Sequence, residues 1–337
     1  MAIEVNACEI CGGALTCAAA DLPGYLAPRV FTVFDCARCH TMVASPKTVD
    51  ESVYDAIYKL PGGPPGYDRN LQLAREAKRK VDPLTYLASR SDAFWAVDRA
   101  LARTRARTVL EIGCGLGHLT YALRKAGYEA SAIDLSAEAV EAARAAFGDF
   151  YRAGSVESLL SEPLMRFDAI VMVEVVEHLE APLDVLKGSM RLLNPGGCLI
   201  LTTPNRSYFG YDAAWTTDLP PVHLWWFSEP SLEAVARALN CSVSFIDFSA
   251  YSARFPQVIG YTSPRDHMLD ESGRLIRREN ALVSSARRLG ILHEAHWFAT
   301  SALGRVGVRG HTEARRSTMA ATLSLNPSGR SPSATDC

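Results

Sequence analysis

The sequence predicts a doubly wound α/β fold preceded by a small cysteine-rich module. From about residue 107 onward, short apolar runs typical of β-strands alternate with amphipathic helical runs, which is the pattern of a parallel sheet with crossover helices. One predicted strand runs directly into a glycine-rich loop, and two Cys-x-x-Cys pairs lie near the N-terminus. The 337 residues, 48% of them hydrophobic, are sufficient for one large domain and one small domain.

The charge balance and the apolar pattern exclude several classes of protein. A formal net charge of -2 gives no overall positive field that would attract nucleic acid or an anionic membrane. The N-terminus has neither the basic segment nor the apolar run of a signal peptide, and no stretch approaches the roughly 18 apolar residues of a membrane span. We therefore expect a cytoplasmic protein whose nine cysteines are reduced.

The predicted elements follow one another in a regular order. Residues 70–104 have a helical pattern that is interrupted at Asp82-Pro83, because proline clashes with the preceding turn, so two helices are expected there. Ser228 is the predicted N-cap of a helix that runs to about Leu239. The other predictions are strands at 108–112, 130–134, 167–173, 198–203, 243–248 and 318–325, and helices at 118–126, 137–146 and 183–193.

These elements divide the chain into four parts. They are a zinc-ribbon module (1–48), a helical linker or lid (49–106), an α/β domain (107–325) and a tail (326–337) that is rich in Ser, Pro and Gly and expected to be disordered. Two features lie outside the regular order: a capping box at 48–51 predicts a short helix after the module, and residues 250–315 are interpreted as an insertion near the substrate side.

The most informative segment is Val109-Leu-Glu-Ile-Gly-Cys-Gly-Leu-Gly-His118. Glycine permits positive φ and close approach of the backbone to a ligand, but the third glycine of a dinucleotide fingerprint would have to stand at His118. Glu111 places negative charge near the ligand and so favours a cation. Asp134, at the end of the next strand, can accept two hydrogen bonds from a ribose diol. The alternative is that these are only turn residues of a nucleotide-fold scaffold.

Four motifs in this order resemble the class I S-adenosylmethionine (SAM) methyltransferases: the glycine loop with Glu111, Asp134, residues 167–174 and residues 193–197. The resemblance covers about residues 107–250 and implies a seven-stranded, Rossmann-like sheet with a reversed last strand. It also implies that the glycine loop lies beneath the methionine part of SAM. Relatives often carry an acidic adenine contact where this chain has Ser155. The implied cofactor contacts are Glu111, Gly113, Cys114, Gly115, Gly117, Asp134, Leu135, Ser155, Val156 and Glu174.

The chemistry is expected beyond the carboxyl ends of the strands, where ligands of open α/β sheets bind. Residues 174–178, with 223–228, resemble the quinone-type O-methyltransferases and, more distantly, the small-RNA 2′-O-methyltransferases, in which two glutamates and two histidines hold a divalent ion. This implies that Glu177, His178 and His223 are catalytic. Together with Glu174 they form a possible second metal site, for magnesium, manganese or zinc.

Other roles are open for the same region. Glu177 caps the following helix, His178 is a base or a packing residue, and His223 orients substrate. Three further features have two interpretations each. Trp225-Trp226-Phe227 either lines a substrate pocket or packs in the core, and Tyr67-Asp-Arg69 is either part of a lid or a polar turn. The arginine pairs either bind an anionic group of the substrate or lie on a solvated helix face; they are Arg277-Arg278, Arg287-Arg288 and Arg315-Arg316.

The two Cys-x-x-Cys pairs match the spacing of zinc ribbons, in which each pair bends around the ion. Four sulfur ligands close the tetrahedral shell, so the predicted role is structural. The predicted ligands are Cys8, Cys11, Cys36 and Cys39, with Cys17 and His40 as spare candidates. The alternatives are a redox pair or thiols without metal. Three other cysteines, Cys114, Cys198 and Cys241, are expected to pack in the core.

The motifs together predict SAM-dependent O-methylation of a small molecule such as a sugar, a glycan or a secondary metabolite, without a membrane or nucleic-acid partner. A ribbon before such a sheet also resembles deoxysugar C-methyltransferases, so C- or N-methylation of a deoxysugar or natural product is the first alternative. An RNA-modifying enzyme or a zinc-ribbon nucleic-acid-binding protein is the second, although the balanced charge argues against it. A catalytically silent binding partner is the third.

Overall fold

A computed structural model of the chain describes residues 7–49, 67–162, 165–209, 219–255, 267–272 and 314–326, together with residues 276, 295 and 299. This part contains two sheets, one of four strands near the N-terminus and one of seven strands. Several predicted features lie outside the described residues: the helix after the capping box, most of the insertion, the pairs Arg277-Arg278 and Arg287-Arg288, and positions 327–337 of the tail.

The N-terminal sheet is an antiparallel meander. Its strands are β1 (Leu15–Pro23), β2 (Val30–Cys36) and β3 (Met42–Ser45). A helical region follows, and here the prediction of two helices was wrong because there are three: α1 (Tyr67–Ala77), α2 (Pro83–Arg90) and α3 (Asp92–Leu101). The additional break is at Ser91, whose extended backbone (φ -144°) ends α2 and begins α3.

The large sheet confirms the predicted fold class. Its strands are β4 (Thr108–Ile112), β5 (Glu129–Asp134), β6 (Tyr151–Ala153), β7 (Phe167–Val173), β8 (Leu193–Pro204), β10 (Cys241–Phe245) and β11 (Thr318–Leu325), and the two-residue strand β9 (Trp225–Trp226) belongs to the N-terminal sheet. The order is β10-β11-β8-β7-β4-β5-β6. The five strands from β8 to β6 are parallel, and β11 is antiparallel to both its neighbours, as a reversed last strand requires.

Helices connect these strands on both sides of the sheet. They are α4 (His118–Lys125), α5 (Ala137–Phe147), α6 (Val156–Leu160), α7 (Pro182–Arg191), α8 (Arg206–Phe209), α9 (Glu229–Ala238) and α10 (Ser249–Arg254). Two strands differ from prediction. The strand expected at 243–248 begins and ends earlier, because Phe248 is the N-cap of α10. The strand expected at 198–203 begins already at Leu193, which pairs with Phe167.

Alternate residues of the central strands face two apolar clusters. Leu110, Ile170 and Leu199 belong to one cluster, and their neighbours Val109 and Ile200 to the other. Both faces of the large sheet are therefore buried, which explains why the sequences of these strands are continuous apolar runs. No helix in the described part of the chain is long and apolar enough to cross a lipid bilayer.

The N-terminal sheet shares a core with the α/β domain. Cys8, Ile10 and Val43 belong to the same apolar cluster as one face of the large sheet. The fourth strand of the small sheet is β9, which lies far beyond the predicted module boundary at residue 48. The module is thus built onto the α/β domain, and the two share secondary structure.

A buried ion pair connects the N-terminal sheet to the α/β domain. The guanidinium of Arg206, which is fully buried, donates to both carboxylate oxygens of Asp35 at 2.8 Å and to the carbonyl of His40 at 2.6 Å. Such a two-pronged contact holds a fixed geometry, and removing one partner leaves a buried charge uncompensated.

We expect Asp35→Asn to lower the free energy of unfolding by about 3 kcal/mol, because the Arg206 charge would stay buried beside a neutral amide. The matched control is Glu129→Gln, which breaks an Arg107–Glu129 pair whose side chains are 78% and 55% exposed and should cost less than about 1 kcal/mol. Denaturant unfolding measures both. Equal losses in the two variants would show that the buried pair has no special role.

Candidate functional site

Four cysteines converge at one end of the small sheet. The sulfur atoms of Cys8, Cys11, Cys36 and Cys39 all lie within 4.8 Å of one another, with Cys8–Cys39 at 3.7 Å and Cys11–Cys36 at 3.4 Å. Zinc–sulfur bonds of about 2.3 Å in a tetrahedron separate the sulfurs by about 3.8 Å, so the spacing fits that ion. The eight described cysteines form no disulfide, which is consistent with reduced thiols.

The two cysteine pairs have the same backbone turn. The carbonyl of Cys8 accepts from the N–H of Gly12 at 2.7 Å, and the carbonyl of Cys36 accepts from the N–H of His40 at 2.8 Å. Gly12 and His40 both have positive φ, 71° and 55°. Gly13 leaves room for the sulfurs, because a Cβ there would lie 3.0 Å from the Cys36 sulfur.

The other cysteines are placed as predicted for packing. Cys114, Cys198 and Cys241 are buried. Cys17 is exposed on β1, and neither Cys17 nor His40 is part of the four-sulfur cluster.

The glycine loop between β4 and α4 has free space for a side chain at one of its three glycines and none at the other two. All three glycines have positive φ, 75° at Gly113, 47° at Gly115 and 77° at Gly117. A Cβ at Gly113 would lie 2.6 Å from a methyl of Val175, and one at Gly117 would lie 2.7 Å from Tyr151. A Cβ at Gly115 would meet nothing within 4 Å, so the loop leaves free space above Gly115 alone.

Asp134 braces this loop. One carboxylate oxygen accepts from the N–H of Gly115 at 2.8 Å and the other from the N–H of Ser136 at 2.9 Å. Each oxygen can accept a further hydrogen bond. Beside it, the side chain of Leu135 is 77% exposed, which leaves an apolar surface next to a polar one.

Glu111 lies behind the loop, and its environment differs from expectation. Its carboxyl group is 4% exposed and accepts from the N–H of Thr120 at 2.9 Å and from the Thr120 hydroxyl, at the start of α4. Burial raises the pKa of Glu111 to about 8, against the opposing hydrogen bonds from Thr120. Burial thus favours the neutral form of this group, whereas the sequence suggested a negative charge here.

Ser155, the implied adenine contact, caps α6. Its hydroxyl accepts from the N–H of Ser158 at 3.3 Å, and its own N–H donates to the Ser158 hydroxyl at 3.1 Å. Val156 is buried in the main core, and Cys114 in a small cluster beneath the loop. Ser155 thus serves as a helix cap in this structure, and Val156 and Cys114 as core residues.

The carboxyl end of β7 adjoins the glycine loop, because Val175 lies against Gly113. Glu174 directly follows the strand and has positive φ (53°), an unusual conformation for a non-glycine residue. One of its carboxylate oxygens accepts from the Thr202 hydroxyl at 2.8 Å.

Three of the four predicted second-site ligands come together just beyond it. Ligand atoms of Glu177, His178 and His223 lie within 4.8 Å of one another, whereas Glu174 is not part of this group. The two imidazole rings meet edge to face at 4.6 Å between centroids. A carboxylate with two imidazoles can hold a divalent ion or transfer a proton.

The hydrogen bonds of these residues orient the His178 ring and the Glu177 carboxylate. Because a carbonyl only accepts, the 2.5 Å contact between His178 Nδ1 and the Val222 carbonyl makes Nδ1 the donor. His178 Nε2 is then free of that proton and lies 3.9 Å from Glu177 Oε1. Glu177 accepts from the Thr203 hydroxyl at 3.0 Å, and burial lowers the pKa of His223 to about 3.

Several alternatives are now decided. Glu177 does not cap the following helix, since Ala181 is the N-cap of α7. Core packing is confirmed for Trp225-Trp226-Phe227, each at most 1% exposed. The anion-grip reading is wrong for Arg316, whose guanidinium is 7% exposed and donates to Asp92. Residues 67–69 begin α1, and the Arg69 guanidinium donates to the Arg90 carbonyl.

Sequence patterns gave no sign of several residues that build the site. Thr202 and Thr203 hold the two glutamates, and Val222 orients His178 through a backbone carbonyl. Their residue types are ordinary for a strand and a turn. Only the position of the Thr pair, at the end of a predicted strand beside the Glu174 strand, could have indicated them.

A family model described as a methyltransferase domain matches residues 74–244, just over half of the chain. The ubiquinone biosynthesis O-methyltransferase of Xanthomonas campestris is 40% identical over 104 residues, which cover 29% of this chain and 44% of that protein. The enzyme of the same name from Xylella fastidiosa is 38% identical over 104 residues, covering 29% and 42%. The chain thus spans less than half the length of these curated relatives.

Solved structures give more distant matches. A SAM dependent methyltransferase from Archaeoglobus fulgidus is 16% identical, with a TM-score of 0.40 and coverage of 68% of this chain and 90% of that one. The plantazolicin methyltransferase BpumL in complex with SAH is 14% identical, with a TM-score of 0.42 and coverage of 82% and 94%.

The Glu111 environment makes stability depend on pH. Because the folded-state pKa lies above the ordinary value of 4.5, the unfolded chain releases this proton at lower pH than the folded chain does. Stability should therefore fall as pH rises from about 4.5 to about 8, by at most about 1.4 kcal/mol per pH unit.

Glu111→Gln should reduce this slope, whereas Glu141→Gln on the exposed side of α5 should not. Denaturant unfolding of the ligand-free protein at several pH values measures it. A slope that is the same in all three proteins would contradict the buried, protonated carboxyl group.

Proposed function

This chain belongs to the methyltransferase-domain family, and on that premise we propose that it transfers a methyl group from SAM to a hydroxyl group of a small molecule. The observation that carries the proposal is the convergence of Glu177, His178 and His223 at the sheet edge that also carries the glycine loop. The O-methyltransferase names of the ubiquinone-pathway relatives support oxygen as the acceptor atom.

The residues at the loop fit SAM. The free space above Gly115 can admit a ligand close to the backbone. Asp134 retains acceptor capacity for the two hydroxyls of a ribose, and the exposed Leu135 side chain offers an apolar surface for a base. Glu111 beneath the loop can ionise when a cationic ligand lowers its pKa. When bound, SAM would supply an electrophilic methyl group.

The protein's own contribution is to hold the acceptor and to remove its proton. The Val222 carbonyl fixes the tautomer of His178, so that Nε2 can accept the hydroxyl proton. The carboxylate of Glu177 stabilises the imidazolium that results, from 3.9 Å. Thr203 in turn orients Glu177. This is a base with an orienting group behind it, the arrangement expected for general base catalysis.

Asp134→Ala should weaken binding of S-adenosylhomocysteine at least tenfold, because two charge-assisted hydrogen bonds to the ribose are lost. The control is Asp149→Ala, whose side chain is 88% exposed. Calorimetry measures binding, and a screen of hydroxylated acceptors with methyl-labelled SAM measures transfer. Unchanged affinity in Asp134→Ala would refute the ribose site, and label found on carbon or nitrogen would replace O-methylation by the alternative chemistry.

A divalent ion at Glu177, His178 and His223 is a second use of the same cluster. One carboxylate and two imidazoles suit manganese or zinc, and an ion there would lower the pKa of an acceptor hydroxyl. Burial keeps the His223 ring neutral, which is the form that binds metals.

If this second use holds, the zinc-loaded protein binds one manganese ion, detected by electron paramagnetic resonance, and His223→Gln binds it at least tenfold more weakly. His267→Gln is the control, because that ring contacts the carbonyl of Gly24, just after β1. If manganese does not bind, or binds equally to the two variants, His178 acts as a base without a metal.

The four-cysteine cluster fits a structural zinc ion, with four sulfurs at tetrahedral spacing. Cys36→Ser should lose the metal and most of the stability of the small sheet, since zinc binding contributes roughly 10–16 kcal/mol to such modules. Cys17→Ser, on an exposed strand, should keep both. Mass spectrometric metal analysis and thermal unfolding measure the outcome. Full metal content in Cys36→Ser would disprove the site.

A further inference from the structure

Residues 222–226, the bridging stretch, belong to both halves of the molecule. We propose that the four-cysteine module positions His178 and His223 through this stretch, with Trp225 as the positioning residue, so that methyl transfer depends on the metal state of the module. The inference rests on the proposed function, because it assigns the regulation of that same site.

On one side the bridging stretch is a strand of the small sheet. Trp225 and Trp226 pair with Val43 and Met42 of β3. The ladder continues past the strand, since the N–H of Ala44 donates to the carbonyl of Leu224 at 2.9 Å. The path of these residues is therefore set by β3.

On its other side the same stretch touches the catalytic cluster. The N–H of Leu224 donates to the carbonyl of Glu177 at 2.9 Å. The carbonyl of Val222 accepts from His178 Nδ1 at 2.5 Å. His223 lies between these two contacts in the chain, so any displacement of the stretch changes both imidazoles together.

Trp225 joins the two sides through its side chain. The ring is 1% exposed, and its indole N–H donates to the Leu179 carbonyl at 2.7 Å, directly after His178. Lys47, two residues beyond β3, lies over the ring with its ammonium 5.0 Å from the centroid and donates to the Glu180 carbonyl at 3.1 Å. Small sheet, tryptophan and catalytic segment thus form one packed layer.

The metal ligands themselves contact the chain just after the bridging stretch. The carbonyl of Cys39 accepts from the hydroxyls of Ser228 and Ser231, at 3.2 and 3.1 Å. These serines form the capping box of α9 and are fully buried. Order at the Cys36–Cys39 turn therefore reaches the bridging stretch by two routes, through β3 and through the start of α9.

The glycine loop is outside this layer. It follows β4 and is held by Asp134 at the end of β5, whereas β3 of the small sheet pairs with β9 in the bridging stretch. Disturbing the module should thus impair the proton-handling residues while SAM binding persists. That separation distinguishes positioning from general loss of structure.

The test uses the full-length, zinc-loaded protein with Trp225→Phe, which keeps an aromatic ring but removes the indole N–H. The matched control is Trp95→Phe in α3, where the ring packs against Phe248 and Tyr251. We expect kcat to fall about tenfold in Trp225→Phe, as the loss of one buried hydrogen bond would produce, with S-adenosylhomocysteine affinity within about twofold of wild type. Zinc content should remain stoichiometric.

Nitrogen NMR of the His178 ring is the readout that does not depend on turnover. Its resonances should shift in Trp225→Phe and in chelator-treated wild type, return when zinc is restored, and stay unchanged in Trp95→Phe. Equal kcat and equal His178 resonances in the two tryptophan variants would overturn the inference, even if chelation unfolds the protein. Shifted resonances in a protein that methylates no acceptor would support the coupling and refute the proposed methyl transfer.

Discussion

The structure depends on one constraint: residues 222–226 must satisfy the hydrogen-bonding groups of the small sheet and of the segment after β7 at once. Leu224 shows this most clearly, because its N–H donates to the Glu177 carbonyl after β7 and its carbonyl accepts from the N–H of Ala44 in β3. Leaving either group buried without a partner would cost a large part of the net stability of a domain. The small sheet and the α/β domain are therefore expected to fold as one unit. The bidentate Arg206–Asp35 pair fixes the same junction from a second direction.

One strained residue, Glu174, lies where the end of β7 adjoins the glycine loop. Glu174 is held at positive φ at the end of β7, next to Val175, whose methyl groups occupy the space that a side chain at Gly113 would need. Such a backbone costs of order 1–3 kcal/mol and persists only where the surroundings enforce it. Here Thr202 holds Glu174 from the neighbouring strand through hydrogen bonds to its N–H and to its carboxylate. The same strand thus supports the two glutamates, through Thr202 and Thr203.

The methyltransferase-domain family match covers one side of this junction, the α/β side, and not the four-cysteine module. The family match begins at residue 74, after the four-cysteine module, but includes the bridging stretch and the cluster of Glu177, His178 and His223. The surface that receives the module is therefore part of the family domain, whereas the module precedes it. The module pairs with the strand that follows His223, whereas the glycine loop lies between β4 and α4.

Local periodicity in the sequence alone predicted the parallel sheet, and ligand spacing predicted the cluster of two cysteine pairs. The order of strands and glycines also placed the glycine loop and Asp134 at the ends of two adjacent strands. The sequence also located Glu177 and His178 at the end of β7. Tertiary structure decided the rest: that Glu111 is buried, that Ser155 caps a helix, that Glu174 is not part of the Glu177–His178–His223 group, and that Trp225 and Trp226 complete the N-terminal sheet. These depend on contacts between residues far apart in the chain, such as Val43 with Trp225 or Asp35 with Arg206. Desolvation and long-range pairing leave no periodic signal in a sequence, so only the assembled fold could reveal them.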